Sequence, residues 1–600
     1  MITTFFKPIG KFFNTGNDKQ NLFRIAFVIW FMCAVYLVIT QYDAVYHLAL
    51  TDTDDLMRYH QYTNWIKNGN WYLQPLAQFN PQDGIIMHWA RLADIPLAFV
   101  AVLMSIFTDW QTAFTVANMI VPLIYMFIFM LIISFVSYRL FNLETAKIAM
   151  LLPLLSPLSF RFLPGSLDHH NLQFILLSFF IFCFIDVSKT NQKACLAALA
   201  VSCSLWIGLE NIYTFVIVLA LLTIWGIFSD PVYLKFCRQL SLYCILFVSV
   251  CLILNRPINE FFDAKFDAIS FPFLLCFVAA YIFCRLVTYS IERYPTHKLT
   301  AFILIGIVSF APIIFIYPNL IYGGYSDYPI LLKENWLNNV SEARSLLTSM
   351  SKEPGKNVGY ILAVLPTLFS PLLVKSKSRN FWLLYCTFCI NYFLAFFWQI
   401  RMFSTALVCA LPLQAYVCFL LREKAALAIS KIIILFLSFP TVVIIFSMAL
   451  FSPESGTVTS QTGEDNKYKN RFISTLNMLN KHNIHQSKIL SSIDIGPAII
   501  ALTDNMAIAA PYHRNIRGNS EAISFFIADN NKTAKEILDR NNIDYVLIEE
   551  NFFNTLSTVR DYENSIMDKL IKEKEFPDYL KFIDSNSTIK LYKYIKHNNE

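Results

Sequence analysis

The sequence predicts a polytopic α-helical membrane protein that ends in a small soluble α/β domain. Three observations carry this reading. The 600 residues are 56% hydrophobic and only 15% charged, with 55 Phe, which is too apolar for a soluble chain of this length. Apolar runs long enough to cross a hydrocarbon core of roughly 30 Å as helices recur from Asn21 to Leu450 and then stop. Lys and Arg gather in short loops between those runs, on one side almost every time, as topology signals do.

Taken in order, Lys7, Lys11, Lys19 and Arg24 precede the first apolar run, which lacks a small-residue cleavage site and reads as a retained signal anchor. With the N-terminus in the cytoplasm, spans are expected at about 21–41, 112–137, 146–164, 171–188, 194–209, 212–229, 239–255, 268–290, 299–317, 357–374, 380–398, 402–421 and 432–451. That makes about thirteen spans in a membrane part covering residues 1–451. Two long loops, 42–111 and 318–357, then lie outside. Asp94 to Thr108 is apolar but too short to cross comfortably, so it is expected in the interface. The tail, 452–600, is also expected outside, which in a bacterial cell means the periplasmic side of the inner membrane. Its pattern predicts a helix over Arg471–Asn480, a strand over Lys488–Ile493, a helix over Thr533–Arg540, a strand over Asp544–Ile548 and two strands within Tyr579–Ile595.

Several function classes are set aside by composition. The net charge of +6 is spread over loops with no basic, aromatic-interleaved face, which argues against nucleic-acid binding. All 13 Cys precede residue 420, so no disulfide framework holds the tail. Cys386 and Cys389 form a CxxC inside a span, where small buried hydrophobes suffice as an explanation.

Five motifs carry chemistry. Asp52, Asp54 and Asp55 put three carboxylates into four residues just after the first span; such a group binds Mg²⁺ or Mn²⁺ or is simply a solvated acidic loop. Gly165-Ser166-Leu167-Asp168-His169-His170 follows Arg161 at the end of the third expected span; Asp168 and His170 can reach one ion from a turn, or Asp168 can cap the next helix. In the stretch Gly84 to Asp94, His88 and Arg91 can meet a phosphate or a sugar, while Trp89 can stack on a sugar ring or anchor at the interface. Glu342 stands in the second long loop, and Arg401 at a membrane edge calls for an anionic partner or for snorkelling. The expected topology puts all of these on the external side.

Together these residues resemble the GT-C membrane glycosyltransferases, and within them the catalytic subunit of oligosaccharyltransferase. Gly84 to Trp89 is similar to that family's Gly-x-x-x-His-Trp segment, Gly165 to His170 to its archaeal Gly-x-x-Asp-His-His, and Asn339-Val340-Ser341-Glu342 to its loop motif. The resemblance implies metal binding by Asp54 (or Asp55), Asp168, His170 and Glu342, with Arg401 and His88 at the donor phosphates. The implied activity is inverting transfer of a sugar or oligosaccharide from a polyprenyl-(pyro)phosphate carrier to an acceptor outside the membrane. The family's tail motif, Trp-Trp-Asp-Tyr-Gly, is matched only by Ser492-Ile493-Asp494-Ile495-Gly496, which keeps Asp494 and Gly496 but no indole. An acceptor other than an Asn-x-Ser/Thr sequon, on protein, lipid or glycan, is therefore expected. Two alternatives stay open: a metal-independent GT-C transferase using a monophosphate carrier, and a transporter or assembly protein for surface glycans.

Overall fold

The computed structural model describes residues 17–596 except 51, 186, 188–189, 375–377, 452–460, 550–551, 553–555, 557–561, 573–576 and 587–588, with backbone alone for 461–470. Lys7 and Lys11 of the expected anchor and the expected 451/452 boundary lie outside the described residues.

The first helix, α1 (Asp18–Tyr46), starts at a capping box in which Asn17 accepts from the Gln20 amide and Gln20 accepts from the Asn17 amide. The acidic motif opens the next helix, α2 (Thr53–Asn68), which Gly69 ends at φ 71°. Asp94 lies in the first turn of α3 (Arg91–Ser105), whose Ala93, Asp94, Leu97 and Ala101 pack inward while Phe99, Ile106 and Phe107 stay exposed. The fourth helix, α4 (Trp110–Leu140), is the longest, and its inward face joins the main core of the bundle through Met126, Phe129, Met130 and Ile133. The Asp-His-His motif leads into α5 (His170–Phe184).

Among the described residues eight helices are long and apolar enough to cross a membrane, or nine if Ala428–Leu437 and Pro440–Phe451 count as one span bent by 81°. The chain is thus a multi-pass membrane protein, with fewer such helices than the thirteen spans expected. Proline accounts for two of the differences. Residues 146–164 are a short helix, Leu143–Ala149, followed by turns and a 3₁₀ segment, Pro157–Phe162, because Pro153, Pro157 and Pro164 interrupt the ladder. The last expected span breaks at Pro440. The segments expected at 171–188 and 212–229 are helices of only 15 and 17 residues.

The tail forms one mixed sheet from β1 (Lys488–Ser491), β2 (Met506–Ala507), β3 (Tyr545–Glu549), β4 (Leu580–Ser585) and β5 (Ile589–Tyr594), in the order β2-β1-β3-β5-β4. The first three strands are parallel, and β5 runs antiparallel to both β3 and β4. Helices Gln461–Lys481 and Asn531–Asn541 also fall where periodicity put them. The first long loop completes the sheet: Asn80 donates its amide to Ala507 O and the Ala507 amide donates to Gln78 O, both at 2.9 Å, beside a parallel bridge between Phe79 and Ala507. The edge of β2 is thereby covered, and loop and tail are held as one layer above the bundle.

Candidate active site

Asp52 caps α2: its side chain accepts from the Asp54 amide at 3.1 Å, which leaves Asp54 and Asp55 in the first turn, against the positive end of the helix. The acidic motif is therefore a helix start, not the solvated loop the sequence allowed. Asp55 is only 2% exposed. One of its oxygens accepts from the amides of both Leu167 and Asp168, at 2.7 and 2.8 Å, so it clamps the Asp-His-His turn against α2. Gly165 shapes that turn with φ 87°, and a Cβ there would come within 3.0 Å of Leu50. Residues more than a hundred positions apart thus converge, and Asp54 and Asp168 stand in one cluster.

Asp168 does not cap α5, which has no side-chain cap bond. It lies 2.7 Å from His169 Nδ1, 3.3 Å from His170 Nε2 and 3.8 Å from Arg161 Nη1. His169 reaches Glu210 through Nε2 at 2.8 Å. Burial works against its charged form, but Asp168 and Glu210 outweigh it and lift the imidazole pKa to about 10. Arg58 Nη2 approaches the same Nδ1 at 3.1 Å. With His169 an imidazolium, that nitrogen's hydrogen goes to Asp168, and Arg58 keeps its charge on Asp94, 3.0 Å away.

Arg161 joins the remaining acids. Its guanidinium donates to Asp52 at 3.0 Å and to Glu342 at 3.0 Å. It therefore ties the second long loop to the acidic turn. Arg401 follows the same loop: its amide donates to Glu342 O at 3.4 Å and that of Ile400 to Arg344 O at 2.7 Å. Burial pushes the Glu342 carboxyl up, yet Arg161, His170 and Arg401 together hold it below its ordinary range.

Asp54 is met by a residue the sequence reading passed over. Tyr512, from the tail, donates its hydroxyl to Asp54 Oδ1 at 3.0 Å. Its ring meets the edge of Trp89 at 5.4 Å. Replacing Tyr512 by Phe removes one charge-assisted hydrogen bond, worth about 1.5–3 kcal/mol. The expected result is roughly a tenfold loss of activity with unchanged expression and monodispersity; retained full activity separates Tyr512 from the site.

The other expected residues divide. Trp89 is 2% exposed and lies under Arg58, whose guanidinium is 4.3 Å from the ring centroid, so it neither anchors at a membrane interface nor offers that face to a sugar. His88 is half-buried against His513 with ring centroids 4.4 Å apart. Burial, and then the charges of His513 and Arg514, hold it neutral, and its Nδ1 has no hydrogen-bond partner. Arg91 is committed to Asp94 at 3.1 Å and to the carbonyls of Trp71 and Asn70. Asp494 lies beyond β1, 4.0 Å from Arg471, and Gly496 beside it permits close packing, since a Cβ there would sit 1.9 Å from Ala509 O.

Sequence reasoning missed Arg58, Asp94, Glu210, Asp267, Tyr512, His513 and Arg514. Asp267 receives His513 at 2.9 Å and Arg514 at 2.6 Å, pinning the 512–514 turn to the membrane part. The available signal was a carboxylate beside each apolar stretch, at Asp94, Glu210 and Asp267.

The donors in the cluster, carboxylate oxygens and an imidazole nitrogen, are of the kinds that divalent cations take. Burial first, and then the neighbouring Asp52 and Asp168, push Asp54 and Asp55 well above the usual carboxylate range. Asp168 Oδ2 is buried and accepts no hydrogen bond, with His170 Nε2 at 3.3 Å and Arg161 Nη1 at 3.8 Å from it. Among the described residues no three His, Cys, Asp or Glu side chains are already arranged around one ion position. Arg161 occupies the space between Asp52, Asp168 and Glu342 and must shift for an ion to reach them.

No family model and no curated protein matches the chain. Solved structures do. The archaeal oligosaccharyltransferase AglB from Archaeoglobus fulgidus, in complex with an inhibitory peptide and a dolichol-phosphate, is 13% identical with a TM-score of 0.64, over 90% of this chain and 71% of that one. The A. fulgidus enzyme tethered with an acceptor peptide containing the NVT sequon gives 14%, a TM-score of 0.60, and coverage of 95% and 74%. Its complex with Zn and sulfate gives 14%, a TM-score of 0.56, and coverage of 94% and 73%. At this identity the likeness establishes the fold: a GT-C-type helical bundle with a C-terminal domain.

Proposed function

We propose that the chain is a membrane glycosyltransferase that moves a sugar or oligosaccharide from a polyprenyl-(pyro)phosphate carrier to an acceptor on the external face of the inner membrane. The observation that carries this reading is the convergence of Asp54, Asp168, Glu342 and Arg161 at the end of the bundle that bears the tail, on a fold shared with a solved structure in complex with a dolichol-phosphate. In this reading residues 1–451 form the catalytic membrane part with a cytoplasmic N-terminus, and 452–600 form the external domain.

Asp54, Asp168 and Glu342, with His170 beside them, would hold Mg²⁺ or Mn²⁺, which when bound offsets charge developing on the departing phosphate. The chain's own groups do the rest. Arg401, carried by the Glu342 loop, would take the donor phosphate through its guanidinium. His88, neutral and with Nδ1 unpartnered, would offer a hydrogen bond there. The acceptor oxygen or nitrogen attacks the anomeric carbon from the face opposite the carrier, the carbon–oxygen bond to phosphate breaks, and its electron pair leaves on the phosphate; configuration inverts. Asp54 would take the acceptor proton, since Asp55 has one oxygen committed to two amides and Asp168 faces Arg161 and the imidazoles of His169 and His170. The missing indoles of the tail motif support an acceptor other than the Asn-x-Ser/Thr sequon.

A second reading has its own support. Arg161 already places a fixed cation among Asp52, Asp168 and Glu342, which suits metal-independent transfer from a monophosphate carrier. Purified protein given a radiolabelled polyprenyl-linked glycan with and without EDTA decides between them. Loss of transfer in EDTA, restored by Mn²⁺ or Mg²⁺, supports the first; transfer untouched by EDTA supports the second. Directional flux of the glycan without any glycosidic product overturns both.

A further inference from the structure

A shallow groove runs along α2 away from the acidic cluster. Gln61, Asn64, Trp65 and Asn68 lie on one face of the helix, and Asn70 and Gln74 close the far side. Its enclosed floor is about 30 Å³, room for a hydroxyl group or one or two waters but not for a ring, so a ligand must lie across the rim. The floor holds an unmet acceptor. Gln61 is 2% exposed, donates Nε2 to Asp94 at 2.7 Å, and its Oε1 has no hydrogen-bond partner.

We infer that this groove binds a neutral oligosaccharide, as a subsite for sugar units remote from the bond being made. Asn and Gln side chains both donate and accept, which matches hydroxyl groups that do the same. The rim amides make local hydrogen bonds in exposed positions, where a ligand can compete for them: Asn68 donates to Asn64 at 2.7 Å, and Gln74 to Tyr72 O at 3.2 Å. Trp65 provides a half-buried indole whose partner on one side is the Arg91 guanidinium, 5.0 Å from the ring centroid. The only charged lining residue is Arg91, whose guanidinium is taken up by Asp94 and by the carbonyls of Trp71 and Asn70, which leaves the amides and the indole to meet a ligand. An extended peptide would need a free sheet edge or a row of alternating pockets, and neither lines it. Position ties the groove to the active site: Gln61 shares Asp94 with Arg58, and Arg58 contacts His169.

The inference rests on the transferase reading for its biological use but is tested without any reaction. Full-length protein in detergent is titrated with free tetrasaccharides of glucose, mannose and N-acetylglucosamine, read by saturation-transfer NMR and calorimetry. At least one is expected to bind, and the double substitution Asn64→Ala/Gln74→Ala is expected to weaken it about tenfold, the loss of one or two hydrogen bonds. Binding of none of the three, or equal binding by wild type and variant, overturns the inference even if transfer is later demonstrated; binding that holds while transfer fails leaves it standing. The same tetrasaccharide on undecaprenyl pyrophosphate identifies the source. Equal weakening of the lipid-linked form by the substitutions assigns the groove to the donor glycan, and weakening of the free form alone assigns it to a glycan acceptor.

Discussion

Replacing Asp168 by Asn is expected to lower transfer by about 10²–10³-fold or more. The carboxylate faces His169, His170 and Arg161, and Asp54 is coupled to it by charge. The amide keeps the side chain's shape and can still accept the His169 hydrogen, so the turn persists while the negative charge is lost. His169 in turn loses the larger of the two carboxylates that hold it protonated, and its pKa falls from about 10 toward the ordinary imidazole value. The readouts are single-turnover transfer from a lipid-linked donor and size-exclusion elution of the detergent complex. An unaltered rate in a monodisperse variant takes the Asp-His-His turn out of the chemistry; Asp168→Ala, which also opens a polar hole, serves as the harsher control.

Replacing Arg58 by Met is expected to cost about 3–5 kcal/mol of stability, the range for removing one partner of a buried ion pair. Arg58 is fully buried, 3.0 Å from an equally buried Asp94, and covers Trp89. Asp94 keeps Arg91 and Gln61, which places the loss toward the lower end. The effect reaches beyond α2, because Arg58 also packs beside the His169 ring and over Trp89. Thermal unfolding in detergent should fall by several degrees, and further in Arg58→Met/Asp94→Leu, which also takes the partner from Arg91 and Gln61. Equal stability of wild type and Arg58→Met would show that Arg91 alone satisfies Asp94.

A third outcome follows from Arg161. Substituting Gln removes the bridge between Asp52 and Glu342, so the 318–357 loop should become more sensitive to limited proteolysis. Unchanged cleavage would mean that the backbone bonds from Ile400 and Arg401 suffice to hold it.

Much of the architecture was legible in the sequence because it follows from local pattern. Apolar length reported the bundle, a short apolar run reported β3, and alternation reported the β4–β5 hairpin. The acidic motif, the Asp-His-His turn and Glu342 could be named because each is a short polar interruption beside apolar sequence. What stayed hidden depends on long-range approach. Tyr512 has no local mark: it meets Asp54 only because Asp267 pins His513 and Arg514 and because the sheet edge receives Gln78–Asn80. Arg58 and Arg91 look like ordinary charged residues on helices until Asp94 is placed between them. The span count suffered from the same limit, since mean hydropathy does not register where Pro153 or Pro440 breaks a run.

The pairing of Gln78–Asn80 with Ala507 bears on how the protein can be handled. A fragment starting near residue 461 would carry the five strands but leave the outermost one bare, with unpaired amide and carbonyl groups inviting a second copy to zip alongside. Such a fragment should dimerise or precipitate at the concentrations used for crystallisation. Grafting the 76–87 segment in front of it, through a flexible linker, should return a monomer.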